Sequence, residues 1–156
     1  MYNILSNSFN LLQATNCLLR NNGISNINLN ISNSYVSNNI FLNSNLSAVN
    51  STVKYNIATN NILPAGNNNQ NNVPASSLFF TGGSTDASWQ IKPGSPASGA
   101  GEPLGGITPD IGAFGTATPY RLSGIPPIPT IYELTVPASV PTTATTMSIT
   151  LSTRSN

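Results

Sequence analysis

"SYVSNNIFLN" at residues 34–43 and "KYNIATNNIL" at residues 54–63 both close on Asn-Asn-Ile followed by a large apolar residue, the two copies lying 22 residues apart. A shift of 22 aligns the chain with itself in column after column, and a fixed period of that size marks a repeat architecture. Asn16, Asn38 and Asn60 share a column, as do Leu18, Ile40 and Ile62, and Leu19, Phe41 and Leu63. Further along, Ile24 meets Leu46, Ile27 meets Val49, Ile31 meets Val53, Tyr35 meets Ile57, Asn21 meets Asn43 and Asn28 meets Asn50.

Within a unit, Ile31, Asn33 and Tyr35 alternate with Ser32 and Ser34, and Val53, Tyr55 and Ile57 alternate with Lys54 and Asn56. Such period-two alternation belongs to strands, whose successive side chains point to opposite faces. Asn, Ser and β-branched residues are poor helix formers, so a helical repeat is excluded. The expected fold class is all-β: a right-handed parallel β-helix solenoid of coils about 22 residues long, each with three short strands, followed by a two-stranded tail. Equivalent strands of successive coils then pair about 4.8 Å apart. Ile40 is expected in the core between Leu18 and Ile62. In Asn-Asn-Ile the first Asn reads as a corner, because Asn tolerates left-handed backbone, the second as outward and the Ile as inward; stacked amides also bond to one another.

Nine of the 156 residues are charged, five basic and four acidic, against 24 Asn and 20 Ser. That is far below the roughly 25% charge of an ordinary domain. No cluster of Lys and Arg is present to neutralise phosphates, so neither nucleic acid nor an anionic membrane is an expected partner. A surface made polar by amides and hydroxyls fits an extracellular or bacterial cell-surface location. Cys17 has no second Cys to pair with and reads as a small buried or half-buried thiol. "MYNILSNSFNLL" has no basic leader and no continuous apolar run, and no stretch reaches the ~20 apolar residues of a membrane span. The chain therefore reads as a piece of a longer secreted protein.

Twenty-three of the 24 Asn precede residue 73, so composition divides the chain. Residues 1–72 read as Asn-rich coils, 73–118 as the closing coil and cap, and 119–156 as a Pro-rich connector with C-terminal strands. "GNNNQNN" at 66–72 reads as an exposed protruding loop. The aromatics Phe79, Phe80, Trp89 and Phe114 are expected to cover the open end of the core. "TIYELTV" and "TMSITLSTRSN" read as strands, the second alternating at Met147, Ile149 and Leu151, with 142–146 as the loop between them.

"WQIKPGSPASGAGEPLGGITPDIGAFG" at 89–115 resembles the closing segment of right-handed parallel β-helix proteins of the pectate-lyase-like superfamily, in which a Pro-Gly-Ser-Pro-Ala turn precedes an Asp-Ile-Gly-Ala-Phe-Gly strand. "PYRLSGIPPIP" at 119–129 also resembles secreted or cell-surface bacterial members. The resemblance spans about residues 14–156 and implies the carboxy-terminal end of a bacterial extracytoplasmic protein. It also implies that Asp110 bonds backbone amides in a turn. Lyases of that superfamily use clustered acids to hold calcium and a Lys or Arg as base. Here Lys54 is the one lysine of the regular coils and the candidate base, with Ser32 in its column one coil earlier, and no carboxylate precedes Asp86.

Lys54 accordingly reads as a solvated outward lysine. An acid pair for glycoside hydrolysis requires Asp86, Glu102 and Asp110 to converge. "GAGEPLGG" lacks the Lys of a phosphate loop and reads as turn chemistry. Sequons at Asn30, Asn45 and Asn50 are expected by chance in an Asn- and Ser-rich segment, and the flanks of Val53 and Tyr55 carry no regular Thr array for ice. No residue is assigned as catalytic, cofactor-binding or metal-ligating, and no cofactor is expected. The function expected is a structural or adhesive β-helix segment recognising glycans through loops such as 66–72, with polysaccharide as a partner. The amino-terminal edge, residues 2–12, is expected to be covered by upstream coils or another subunit. The alternative is the non-catalytic end of a polysaccharide lyase or glycoside hydrolase whose active site lies upstream.

Overall fold

The computed structural model describes residues 4–6, 12–81, 85–115, 119–122 and 130–154. Ten short strands open the chain: β1 (Ile4–Ser6), β2 (Leu12–Thr15), β3 (Leu18–Arg20), β4 (Gly23–Ser25), β5 (Asn28–Ser32), β6 (Tyr35–Ser37), β7 (Ile40–Leu42), β8 (Asn45–Val49), β9 (Thr52–Lys54) and β10 (Ile57–Ala58). They form three parallel sheets in the orders β1-β4-β7-β10, β2-β5-β8 and β3-β6-β9. Every third strand is a neighbour, so the chain winds as a right-handed parallel β-helix solenoid, the hand that right-twisted parallel connections adopt. Most of the expected edge segment 2–12 lies outside the described residues.

The regular coil of residues 12–58 is 17 residues long, not 22, while the first pairing, Ile4 with Gly23, spans 19. Leu12 pairs with Leu29 and Leu29 with Leu46; Gly23 pairs with Ile40 and Ile40 with Ile57. Ile40 therefore lies between Gly23 and Ile57, not between Leu18 and Ile62. The left-handed corners explain the false period. Positive φ occurs at Asn16, Asn33 and Asn50, at Asn21, Asn38 and Tyr55, and at Asn26 and Asn43. Each set recurs at the coil length, and neighbouring sets are offset by five residues where 16 leads to 21 and 33 to 38. A shift of 22 is one coil plus one corner, which lays each side of the triangular coil on the next side. Apolar positions still meet apolar ones because all three sides obey the same inward and outward rule.

The residue after a corner turns inward. Asn22, Asn39 and Asn56 are all buried and form one ladder: the Asn22 N–H donates to Asn39 Oδ1 at 3.0 Å and the Asn39 N–H to Asn56 Oδ1 at 3.0 Å. Side-chain amides continue it, Asn22 Nδ2 to Asn39 Oδ1 at 2.9 Å and Asn39 Nδ2 to Asn56 Oδ1 at 3.0 Å. The second Asn of Asn-Asn-Ile is thus a buried rung, not an outward residue. A second ladder uses hydroxyls. Ser34 Oγ accepts from the Cys17 N–H and Ser51 Oγ from the Ser34 N–H, both at 3.0 Å, with Cys17 half-buried at its end. These side chains satisfy backbone donors that the corners leave without a strand partner.

Ile24, Leu29, Ile31, Val36, Phe41 and Val53 fill the interior, and Leu63 joins them from beyond the last coil. The segment 66–72 is not a free loop. Asn69 Oδ1 accepts from the Asn56 N–H at 3.1 Å, adding a rung, and Gln70 bridges to Ile57. The segment from 75 onward, with helix α1 (Ala75–Leu78) and a 3₁₀ turn (Ala87–Trp89), packs on the flank. There Leu78, Phe79, Trp89 and Ile111 cluster with Ile40 and Ile57, which alternate with interior Phe41 and Ala58 and so face outward from their sheet. The aromatics Phe79 and Trp89 therefore cover a side of the solenoid instead of its end.

Residues 121–156 form a second unit. Its strands β11 (Thr130–Thr135) and β12 (Thr150–Arg154) pair antiparallel with an irregularity between Ile131 and Glu133. The two-stranded tail expected from sequence is present. Met147 and Ile149 precede β12, whose alternating stretch is shorter than the pattern suggested.

Candidate functional site

Three charged side chains and one phenol converge on the outer face of β3-β6-β9. Arg20, Ser37 and Lys54 occupy one outward row and Tyr35 the next, because strand alternation sends Leu19, Val36 and Val53 inward. Glu102, from the flanking segment, enters between them. Its Oε1 lies 2.8 Å from Lys54 Nζ and accepts from Tyr35 Oη at 2.6 Å, and its Oε2 is 3.1 Å from Arg20 Nη2. The Glu102 N–H donates to Asn38 Oδ1 at 2.7 Å, so a corner Asn positions the backbone that carries the carboxylate. The Lys54 ammonium also sits 5.1 Å from the centre of the Tyr35 ring.

Lys54 is therefore a paired, part-covered lysine, not a freely solvated one. Its hydrogen bonds to Glu102 and then Tyr35 hold its pKa well above the ordinary lysine value. Partial burial pushes the Glu102 carboxyl up, but Lys54, Tyr35 and Arg20 together outweigh that and leave it below the ordinary carboxylate range. Both groups are thus driven away from neutrality, the opposite of what general acid–base catalysis requires. The chemistry this arrangement suits is fastening: one carboxylate ties three successive coils, through Arg20, Tyr35 and Lys54, to the flanking segment.

The other acids serve turns. Asp110 Oδ1 accepts from the Gly99 N–H at 2.7 Å and from Ser98 Oγ at 3.3 Å, the amide-bonding role expected of it. Asp86 accepts from the Ala87 N–H at 3.0 Å to start the 3₁₀ turn, and Tyr120 Oη donates to it at 3.4 Å. Burial, then the Asp86 charge, raises the Tyr120 pKa. Asp86, Glu102 and Asp110 each have their own partners, and among the described residues no group of three His, Cys, Asp or Glu side chains is placed to hold a metal ion.

No protein-family model, curated protein or solved structure matches the chain. Among the described residues no helix is long and apolar enough to cross a membrane. The sequon residues Asn30, Asn45 and Asn50 are all exposed, on or beside the outer face of β2-β5-β8. At the edge strand of that sheet, β2, a shallow depression of about 380 Å³ is lined by Gln13, Ala14, Thr15, Asn30 and Ser32, with Ala14 on the inward side. Sequence reasoning missed both the Glu102 fastening and this face, because the first joins residues 82 and 67 positions apart and the second depends on the 17-residue register.

Proposed function

We propose that the chain is a structural or adhesive β-helix segment of an extracellular bacterial protein related to the pectate-lyase-like superfamily, with glycan recognition on its surface. Residues 1–72 act as the rod, 73–118 as the segment that closes it and 119–156 as connector and terminal strands, with upstream coils or another subunit over the amino-terminal edge. The observation that carries the reading is the Glu102 cluster: the cations of the coils and the carboxylate nearest them are engaged with each other, the Lys54 pKa raised and the Glu102 pKa lowered by the contact. A buried ladder of amides and hydroxyls adds rigidity without chemistry.

The test is incubation of the purified chain with acidic and neutral polysaccharides, followed by assay for unsaturated and reducing sugar ends. No release is expected. Reproducible turnover that disappears in Lys54→Ala, Asp86→Ala or Glu102→Ala would replace the scaffold with an enzyme.

A further inference from the structure

We propose that Asn22-Gly23 is a self-modification site, silent while the ladder is formed and converted irreversibly to aspartate or isoaspartate when the amino-terminal coil opens. The site does not depend on the scaffold reading. Of the 24 Asn, Asn22 alone precedes a Gly. A glycine has no side chain to hinder its backbone nitrogen, so that nitrogen reaches the amide carbon of a preceding Asn more readily than any other residue's does. Two separate constraints place this labile pair here. Asn22 is a rung, bonded to Asn39 through both its N–H and its Nδ2. Gly23 lies under Trp89, where a Cβ would come within 2.4 Å of the ring. The fold itself therefore dictates a reactive dipeptide.

In the reaction the Gly23 nitrogen bonds to Asn22 Cγ, the Cγ–Nδ2 bond breaks, and ammonia leaves with the Gly23 amide proton. Water then opens the five-membered imide at either carbonyl, giving an aspartate or, with the main chain rerouted through Cγ, an isoaspartate. The folded chain blocks each part. Nδ2, the leaving group, donates to Arg20 O and to Asn39 Oδ1, both at 2.9 Å. The Asn22 carbonyl accepts from the Ile40 N–H at 2.9 Å, and Gly23 is held in register between Ile4 and Ile40. Asn22 is 3% exposed, which keeps out the water that ring opening requires. For Cγ to meet the Gly23 nitrogen the side chain must leave the ladder and the peptide must turn, so the coil has to open first. Asn22 is the first rung of its ladder among the described residues, and terminal units of a repeat array open at lower cost than the whole. Return is then barred. A carboxylate at position 22 has no protons for Arg20 O and Asn39 Oδ1 and would be set against both. An isoaspartate adds a carbon to the main chain and would shift Gly23 from beneath Trp89.

The experiment incubates the full chain at mildly alkaline pH, folded and in guanidinium chloride, and follows ammonia loss at each Asn by peptide mass with detection of isoaspartate. Asn22 is expected to react at least tenfold faster in the denatured chain than in the folded one. In the denatured chain it should also lead every other Asn, including Asn33, Asn43 and Asn50, which precede Ser. Equal rates in the two states, or a denatured chain in which Asn22 does not lead, overturn the proposal. Gly23→Ala with Trp89→Leu should slow the denatured rate at Asn22 at least tenfold, and an unchanged rate also overturns it. Asn22→Asp, purified without denaturation, should melt below the parent or fail to accumulate folded, which reads irreversibility even where refolding is poor. A variant that melts with the parent overturns the one-way character of the site.

Discussion

The coils at residues 12–58 and the flanking segment at 75–115 are held by different kinds of force. In the coils, buried polar residues such as Asn22, Asn39, Asn56, Ser34 and Ser44 each bond across one coil, and the register is fixed by directional hydrogen bonds repeated at every level. In the flank, position is fixed by shape and charge: Trp89 lies against Gly23, where a Cβ would come within 2.4 Å of its ring, and Phe79 meets Trp89 edge to face at 5.3 Å. The difference teaches where each region is vulnerable. A faulty rung leaves orphaned groups on the coils above and below it, whereas a faulty flank contact costs little beyond itself.

The largest effect is therefore expected at the centre of the ladder. Asn39 Nδ2 donates to Leu19 O, Ser37 O and Asn56 Oδ1, so Asn39→Asp would remove the donor and set a buried carboxylate against three oxygens. We expect a loss of about 4 kcal/mol or more in denaturant unfolding. A loss below about 1 kcal/mol, the value of a single ordinary hydrogen bond, would deny the ladder its part in holding the coils.

An intermediate effect is expected where the two regions touch. Gly23→Ala would drive a methyl into Trp89, and overpacking of this kind costs about 2 kcal/mol. Pairing it with Trp89→Leu should restore part of that stability, a coupling that a double-mutant cycle measures. Additive losses would mean that the ring does not press on the coil.

The smallest effect is expected at the Glu102 fastening. Glu102→Gln should cost about 1 kcal/mol or less at pH 7, because the pair is only partly screened from water. The folded-state pKa of Glu102 is lowered, so its contribution is complete above the unfolded value of about 4.3 and disappears as pH falls through the folded value. Parent and variant should therefore differ at pH 7 and draw together as pH falls through the folded value, and added salt should narrow the gap. A constant gap across that range would assign the effect to shape instead of charge.

Much of the fold was legible in local chemistry, and the errors have a physical origin. Alternating residues revealed strands, and Asn16 and Asn38 announced corners because few other residues tolerate left-handed backbone, although Asn60, read into the same column, is not left-handed. The coil length was misread because a three-sided coil imitates itself from side to side, so Asn39 was turned outward when it is a rung. Asn69 was hidden among its neighbours since it follows Asn56 by 13 residues, not 17. Gly23 stands in the column of Ile40 and Ile57, a vacancy that signals a bulky neighbour once the register is known. Asp110 was legible from its turn motif. Lys54 was not, because its partner Glu102 is brought in only by tertiary folding.

The 17-residue register is the claim on which the ladder and the outer faces both depend, and cross-linking tests it most directly. Adjacent strands lie about 4.8 Å apart, within the Cα separations a disulfide spans. In a Cys17→Ser background, Asn28→Cys with Asn45→Cys places thiols on paired exposed residues 17 apart, while Asn28→Cys with Asn50→Cys places them 22 apart. Under mild oxidation the first pair should form an intramolecular disulfide readily and the second should remain reduced. Efficient closure of the Asn28 and Asn50 pair, with the Asn28 and Asn45 pair left as free thiols, would contradict the account.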